Sequence, residues 1–495
     1  MDKPSLQIGN EKWAIKEDEL LGYSTAGTRF VPESITMTRA SAGTRVNPQG
    51  LIETVELLGS ELLPNLNLST NWTGIGGTSN VTVDTFTTTS TGGVRKNNFL
   101  TVGKIYRAVI SGTTTSTQSQ INNFSNNVGY KSWNGAGAFN FTFTFTATND
   151  TGMYLRHSAS GTTEVYSFSV KELTQNNLAR VDYDGTASSL LVEPQRTNLF
   201  TYSEDFSKSS WNKSNIDLLT LTSDIAPNGT SNSVYNFKGD DSNLFTNSQS
   251  SSVEYTMSFY VKSNGNGKDN FKLRLGSGFS EFTATNEWVR YFYKATPTSQ
   301  VFGISSNSID SDVLIWGAQI EAASYPTSYI PTSGSTVTRV QETYTKTGIS
   351  NLINSEEGVL FVESAALADD GTNRILTLSD NSYNNSLRIQ YYTNTNEIEM
   401  RAVVGGAVQA LQRVAITNVL EFNKIAFLYK VNDFQLWVNG SKLRFDTSGT
   451  VPPTGTYNTL SFDDGDGNNI FFSKVKQLQV FKTALTDTEL AALTS

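Results

Sequence analysis

The chain has no cysteine and a single histidine. The first absence excludes disulfides, thiolate nucleophiles and cysteine-bound metals. The second excludes a zinc site built from several imidazoles, and a Ser-His-Asp hydrolase would have to use His157. That residue lies in MYLRHSAS, at a strand end, and is expected to face solvent without a chemical role. Charge is also sparse: 17% of 495 residues, with 46 acids against 37 bases and a net charge of −9. No Lys/Arg cluster is present, and nucleic-acid affinity depends on neutralising phosphates, so nucleic acid is not an expected partner. No apolar run approaches the roughly 20 residues that cross a bilayer, so membrane insertion is not expected. The opening MDKPSLQIGNEKWAIKEDELL lacks the apolar centre of a secretory signal, which predicts synthesis in a cytoplasm.

What remains is rich in Ser, Thr, Asn and Gly, with 11% aromatics and no long Leu/Ala/Glu/Lys stretches. That composition favours strands and turns over helices. FTFTFTAT, from Phe141 to Thr148, alternates aromatic and hydroxyl side chains. Successive strand residues point to opposite faces, so Phe141, Phe143 and Phe145 should be buried and Thr142, Thr144 and Thr146 wet.

A similar phrase, YFYKATPT, returns from Tyr291 to Thr298. Ala147 and Ala295 lie 148 positions apart, as do Glu164 and Asp312; Tyr106 and Tyr255 are separated by 149, Trp72 and Trp211 by 139. Four anchors at nearly constant spacing predict two copies of one β-domain, residues 61–175 and 194–330. Short alternating strands between Gly/Asn/Ser turns are the mark of a sandwich or jelly roll. Residues 176–193 and 331–350 read as linkers, the latter containing YIPTSGSTVTR. Residues 351–495 carry further strand patterns and end in LTDTELAALTS, where Thr486 and Glu489 have capping-box spacing before a short helix. The expected fold class is therefore all-β: tandem jelly-roll/β-sandwich domains with a short C-terminal helix. Residues 1–60 belong to no repeat, and TRASAGTRVNPQGLIETV is small, polar and turn-rich. Such a segment orders more readily against something else than by itself.

Three stretches resemble sequences of structural proteins from tailed bacteriophages: TRASAGTRVNPQGLIETV, SSLLVEPQRTNLFTYSEDFSKSSW and WGAQIEAASYPTSYIPTSGSTVTR. In that family they flank carbohydrate-binding-module-like sandwiches in fibres, spikes and other appendages. FQLWVNGSKL and VKQLQVFKTALTDTEL resemble the hairpin and closing elements of concanavalin A-like, laminin G-like domains. The resemblance implies a non-enzymatic virion component, a head or tail fibre or similar appendage, mediating adhesion to host-surface glycan. A purely structural decoration or connector protein and a capsule depolymerase are the alternatives. It further implies attachment to capsid or tail proteins through residues 1–60, host polysaccharide as the ligand, localisation in the virion, and homo-oligomers, with trimers favoured.

Individual residues suggest three sites. Sugars stack on aromatic faces and hydrogen-bond to amides, so the Gly/Asn loop around Tyr130, Trp133 and Asn134 is the candidate carbohydrate site. Trp72 and Trp211 recur in both copies and suggest a shared structural role; Trp288, Trp316 and Trp437 sit in strand patterns that suggest core. Asp463, Asp464, Asp466 and Asn468 gather hard oxygen ligands on a Gly-rich loop, which suits calcium as the only metal to consider; no other cofactor is implied. Glu397 and Glu399 share a strand face, which resembles the paired carboxylates on one strand of some concanavalin A-like glycosidases, but Met400, Arg401 and Ala402 follow where that family has a further acid.

Overall fold

The computed structural model describes all residues except 1–2, 11–12, 17–18, 27–28, 124–128, 149–150, 176–177, 217, 248–251 and 307. Among these described residues it is all-β apart from two short helices, Leu68–Asn71 and Asp487–Thr494. Contacts divide the chain into one unit of residues 56–176 and another of residues 1–55 with 177–495.

In the 56–176 unit the long strand Thr85–Lys96 organises the fold. Its first half pairs with Gly161–Gln175 and its second half with Met153–His157. The nine-stranded sheet runs Gly129–Asn134, Gln118–Asn122, Met153–His157, Thr85–Lys96, Gly161–Gln175, Ile105–Thr114, Gly137–Thr146, with Thr73–Val81 and Leu57–Glu61 attached to its side. Residues from both halves, including Phe86, Ile110, Ile121 and Leu155, form one core, so the sheet folds over into two layers. The alternation is as read: Phe139 and Phe145 are buried, Phe141 and Phe143 half-buried, and Thr142, Thr144 and Thr146 exposed.

The second sandwich has separate five-stranded sheets. One runs Asn212–Ser214, Asn243–Thr246, Phe302–Ser305, Asn270–Leu275, Gly278–Thr283; the other Leu218–Leu221, Tyr235–Gly239, Ser311–Glu321, Tyr255–Ser263, Val289–Ala295. The strand order matches the first sandwich when Thr85–Lys96 is matched to Tyr235–Gly239 plus Asn243–Thr246. Trp72 and Trp211 are both buried immediately before a strand, Thr73–Val81 and Asn212–Ser214, and Ala147 follows the Phe strand Gly137–Thr146 as Ala295 ends Val289–Ala295.

The terminal sandwich has a core of nearly forty buried side chains, from Leu6 to Val480. One sheet passes through Ser441–Asp446, Asp433–Val438, Asn423–Lys430, Glu357–Ala366 and Ser473–Phe481. The other passes through Ala407–Ala415, Glu397–Val404, Ser386–Tyr391, Arg374–Ser379, Thr459–Ser461 and Thr343–Lys346. Asn439 and Gly440, both at positive φ, make the two-residue hairpin that VNG announces. The capping box of Thr486 and Glu489 starts the last helix, whose Leu490 packs beside Phe361 and Trp437.

The segments read as an attachment arm and as linkers require correction. Leu6–Gly9 and Ala187–Val192 pair end to end along the outer side of Ser473–Phe481. Arg29–Thr38 pairs with Glu19–Ala26 on one side and Thr343–Lys346 on the other, which closes the two sheets into a near-barrel. Leu6, Ile8, Leu20 and Ile35 are buried in the core. The reason is the free edge of Ser473–Phe481: its unpaired N–H and C=O groups need partners, and these segments supply them. The contact boundary accordingly falls at Val55, not at residue 60.

Candidate functional site

The aromatic loop chosen from sequence faces inward. The Trp133 ring lies 5.1 Å from Phe139 and 5.2 Å from Phe141 between centroids, and Tyr130 stacks on Phe145 at 4.3 Å. Lys131 Nζ sits 4.7 Å over Phe141. Only Asn134 is exposed, at the strand end. These half-buried rings pack along the edge of the first sandwich against its Phe strand.

The acidic loop binds itself. The Asp464 carboxylate accepts the backbone N–H groups of Asp466 and Asn468 and the Asn469 amide, Asp463 accepts Gly465 N at 2.7 Å, and Asp466 accepts Tyr383 N at 3.2 Å. Burial raises the Asp463 carboxyl, and the neighbouring Asp464 charge adds to it. Asn468 contributes only its backbone to this turn. Among the described residues no group of three or more His, Asp or Glu side chains is placed to hold a metal.

Glu399 is fully buried, 3.0 Å from Arg401 Nε and 2.5 Å from Arg413 Nε. Glu397 accepts the Asn394 amide. The pair thus serves ion pairing and a turn. His157, expected in solvent, is fully buried: its ring nitrogens meet Thr88 at 2.9 Å and Thr163 at 2.7 Å, and its ring lies 4.6 Å from Phe86. Burial lowers its pKa to about 4.

The three phage-like stretches meet in one buried cluster. Arg39 and Arg180 both grip Glu342, Arg180 through bonds of 2.7 and 2.6 Å. Glu193 pairs with Arg180 at 2.8 Å and Arg339 at 2.9 Å, and accepts Ser328 N and Oγ. Their side chains are at most 4% exposed. Burial alone would raise the Glu193 carboxyl, but Arg339 and Arg180 outweigh it and hold it far below the usual range. Glu342 is lowered in the same way, chiefly by Arg180 against burial. The hairpin of Thr44–Val46 and Ile52–Thr54 then lays Ile52 on Trp316 and Tyr329 of the second sandwich. These motifs form a clasp; they do not make a ligand site.

An open site appears on the second sandwich, where nothing was expected. In Asn270–Leu275, Phe271, Leu273 and Leu275 enter the core, which turns Lys272 and Arg274 outward. Register places Asn243, Ser305, Lys272 and Glu281 in one row across the sheet, and Phe245, Gly303, Arg274 and Phe279 in the next. Gly303 is required at the centre, because a Cβ there would lie 1.9 Å from the Leu244 carbonyl oxygen. Lys272, Arg274, Ser277, Phe279 and Ser305 line a cavity of about 70 Å³. Phe279 is 51% exposed, with Lys272 Nζ 4.7 Å from its centroid. Arg274 donates Nε to Gly276 O at 2.8 Å and reaches Asn243 Oδ1 at 3.4 Å. An exposed ring bordered by cations, an amide and a hydroxyl is the surface chemistry that sugars meet.

No family model matches the chain. No curated protein matches it either. Solved structures similar to parts of it include the CBM40 of the Ruminococcus gnavus IT-sialidase bound to alpha2,3 sialyllactose, at 18% identity, covering 28% of this chain and 83% of that one, with a TM-score of 0.25. Domain 4 of AbnA, a GH43 extracellular arabinanase from Geobacillus stearothermophilus in complex with arabinotriose, is similar at 11% identity over 31% and 73% of the two chains, with a TM-score of 0.26. Sheep galectin-11 is similar at 11% identity over 28% and 92%, with a TM-score of 0.19. At these values the likenesses decide nothing about what this chain binds.

Proposed function

We propose that the chain is a structural component of a bacteriophage virion, a head or tail fibre or similar appendage, that adheres to host-surface glycan. The observation that carries the adhesive part is the outward sheet face of the second sandwich, where exposed Phe279 borders the cavity of Lys272, Arg274 and Ser305. The virion part rests on the phage-like stretches around Arg39, Glu193 and Arg339. Adhesion of this kind needs no catalytic step, and the Glu397/Glu399 pair is already committed to other partners. One shallow site per chain binds weakly, and self-association, as trimers in this proposal, supplies affinity because each further contact is intramolecular. Attachment to capsid or tail then uses a surface of the folded protein, since the strands Leu6–Gly9, Glu19–Ala26 and Arg29–Thr38 are spent in the terminal sandwich.

The test has two arms. An antibody to residues 351–495 should label intact particles at the head or the tail. The whole labelled chain on an array of bacterial surface glycans should bind, and Phe279→Ala should lower that binding at least tenfold. Labelled particles with no glycan bound would leave a decoration or connector role. Shortened polysaccharide after incubation would replace adhesion by depolymerisation.

A further inference from the structure

We infer that the first sandwich pairs with a second copy of this chain through the strand Gly137–Thr146, the two strands running antiparallel about a two-fold axis at Thr142. The first support is an edge left open. This strand ends its sheet: Ile105–Thr114 pairs with it along its whole length on one side, and among the described residues no strand pairs with it on the other. It is ten residues long, GAFNFTFTFT, with no charge and no proline. Native edges are shortened, charged or covered, and one with none of these protections is a template for a further strand. Two comparable edges of the same chain are protected. Ser473–Phe481 is covered by Leu6–Gly9 and Ala187–Val192. Val289–Ala295, which ends its sheet in the second sandwich, has only seven residues. With Tyr106 matched to Tyr255, register puts Lys294 where the first sandwich has Thr144, and Arg290 where it has Asn140.

The second support is self-complementarity. Centring the two-fold on Thr142 sets Phe139 opposite Phe145 and Phe141 opposite Phe143, so every ring on one strand faces a ring on the other. On the outer face Asn140 meets Thr144 and Thr142 meets its own copy. Aromatic pairs and hydroxyl pairs are the cross-strand combinations that stabilise a sheet, and no like charges oppose each other. Phe141 and Phe143 are only half-buried within one chain, so pairing adds cover where their own sandwich leaves it incomplete. An uncharged strand gives a charged partner no counter-charge, which favours its own copy as the occupant. A two-fold contact joins chains in pairs and leaves the three-fold contact proposed above to other surfaces.

Sedimentation of the full chain tests this. The expected result is an assembly with an even number of chains, whose mass is halved in Thr144→Lys. That residue is exposed, and Lys294 holds the corresponding place in the second sandwich, so the fold tolerates the change. Cross-linking is the second measurement. The chain lacks cysteine, and Thr142→Cys puts two thiols across the axis with Cα atoms about 4.5–5.5 Å apart, within the roughly 4.4–6.8 Å that a disulfide spans. Diamide should convert this variant to covalent dimers at least tenfold faster than Ser160→Cys, at an exposed loop position. Chains that sediment singly or in threes, a mass unchanged in Thr144→Lys, or equal cross-linking of the two cysteine variants would overturn the pairing. Single chains would give the edge to a strand of another protein. None of these outcomes bears on glycan binding, which Phe279→Ala reports separately.

Discussion

The two central sandwiches share a strand order but turn their outer edge strands to opposite uses. In the first, Gly129–Asn134 points Tyr130 and Trp133 inward against the Phe strand. In the second, Gly278–Thr283 points Phe282 inward, 5.7 Å from Phe271, and leaves Phe279 outside beside two cations. The first therefore spends its edge aromatics on closing a core and the second spends one on the surface. They differ in anchoring too. The second is bound to its unit by the Arg39, Arg180, Glu193, Arg339 and Glu342 cluster, whereas the first forms a unit of its own. One strand order thus serves a sandwich whose edge aromatics pack inward and another that leaves Phe279 exposed.

The largest effect should come from the anchor. Glu342→Gln leaves Arg39 and Arg180 buried beside a neutral group, and breaking such a pair costs about 3–5 kcal/mol. Hydrogen exchange in denaturant should show that loss in residues 1–55 and 177–495, and no change in 56–176. An equal loss in both units would erase the distinction in anchoring.

The next test is acid. The unfolded His157 imidazole takes up a proton near pH 6.5, while the folded one resists until about pH 4. The unfolded state therefore binds more protons in that window, and stability falls as the pH drops from 6.5 to 4, then levels off. At about 1.4 kcal/mol per pH unit the total approaches about 3.5 kcal/mol at most. It should be confined to the first sandwich, and His157→Gln should remove that part of the slope in its unfolding midpoints. Trp133→Ala should follow, costing the first sandwich roughly 2 kcal/mol for a half-buried ring packed on two phenylalanines. Its counterpart on the surface, Phe279→Ala, should change stability by less than about 0.5 kcal/mol in the same denaturation assay while abolishing most glycan binding. Were the two alanine substitutions equally destabilising, the contrast between inward and outward edge aromatics would fail.

Much of the fold was legible in local pattern. FTFTFTAT gave its faces, VNG gave a hairpin, Thr486 with Glu489 gave the last helix, and the spaced anchors fall in two sandwiches that share a strand order. The site was not legible, and parity explains why. Tyr130 and Trp133 are three apart, as are Phe279 and Phe282, so on a regular strand one of each pair must face out. In the first sandwich a register shift at Ile121/Asn122 brings both rings inside; in the second the regular register leaves Phe279 out. Nothing in either short segment announces which will happen.

The amino-acid order by itself settled the alternation of buried and wet residues and the turn and cap positions, because each depends on neighbours a few residues away. Tertiary structure alone decided which aromatic reached solvent, that the leading residues joined the last sandwich, and that Arg39, Glu193 and Glu342 met. Those outcomes depend on partners up to 475 positions distant, and on which sheet edge was left to be covered.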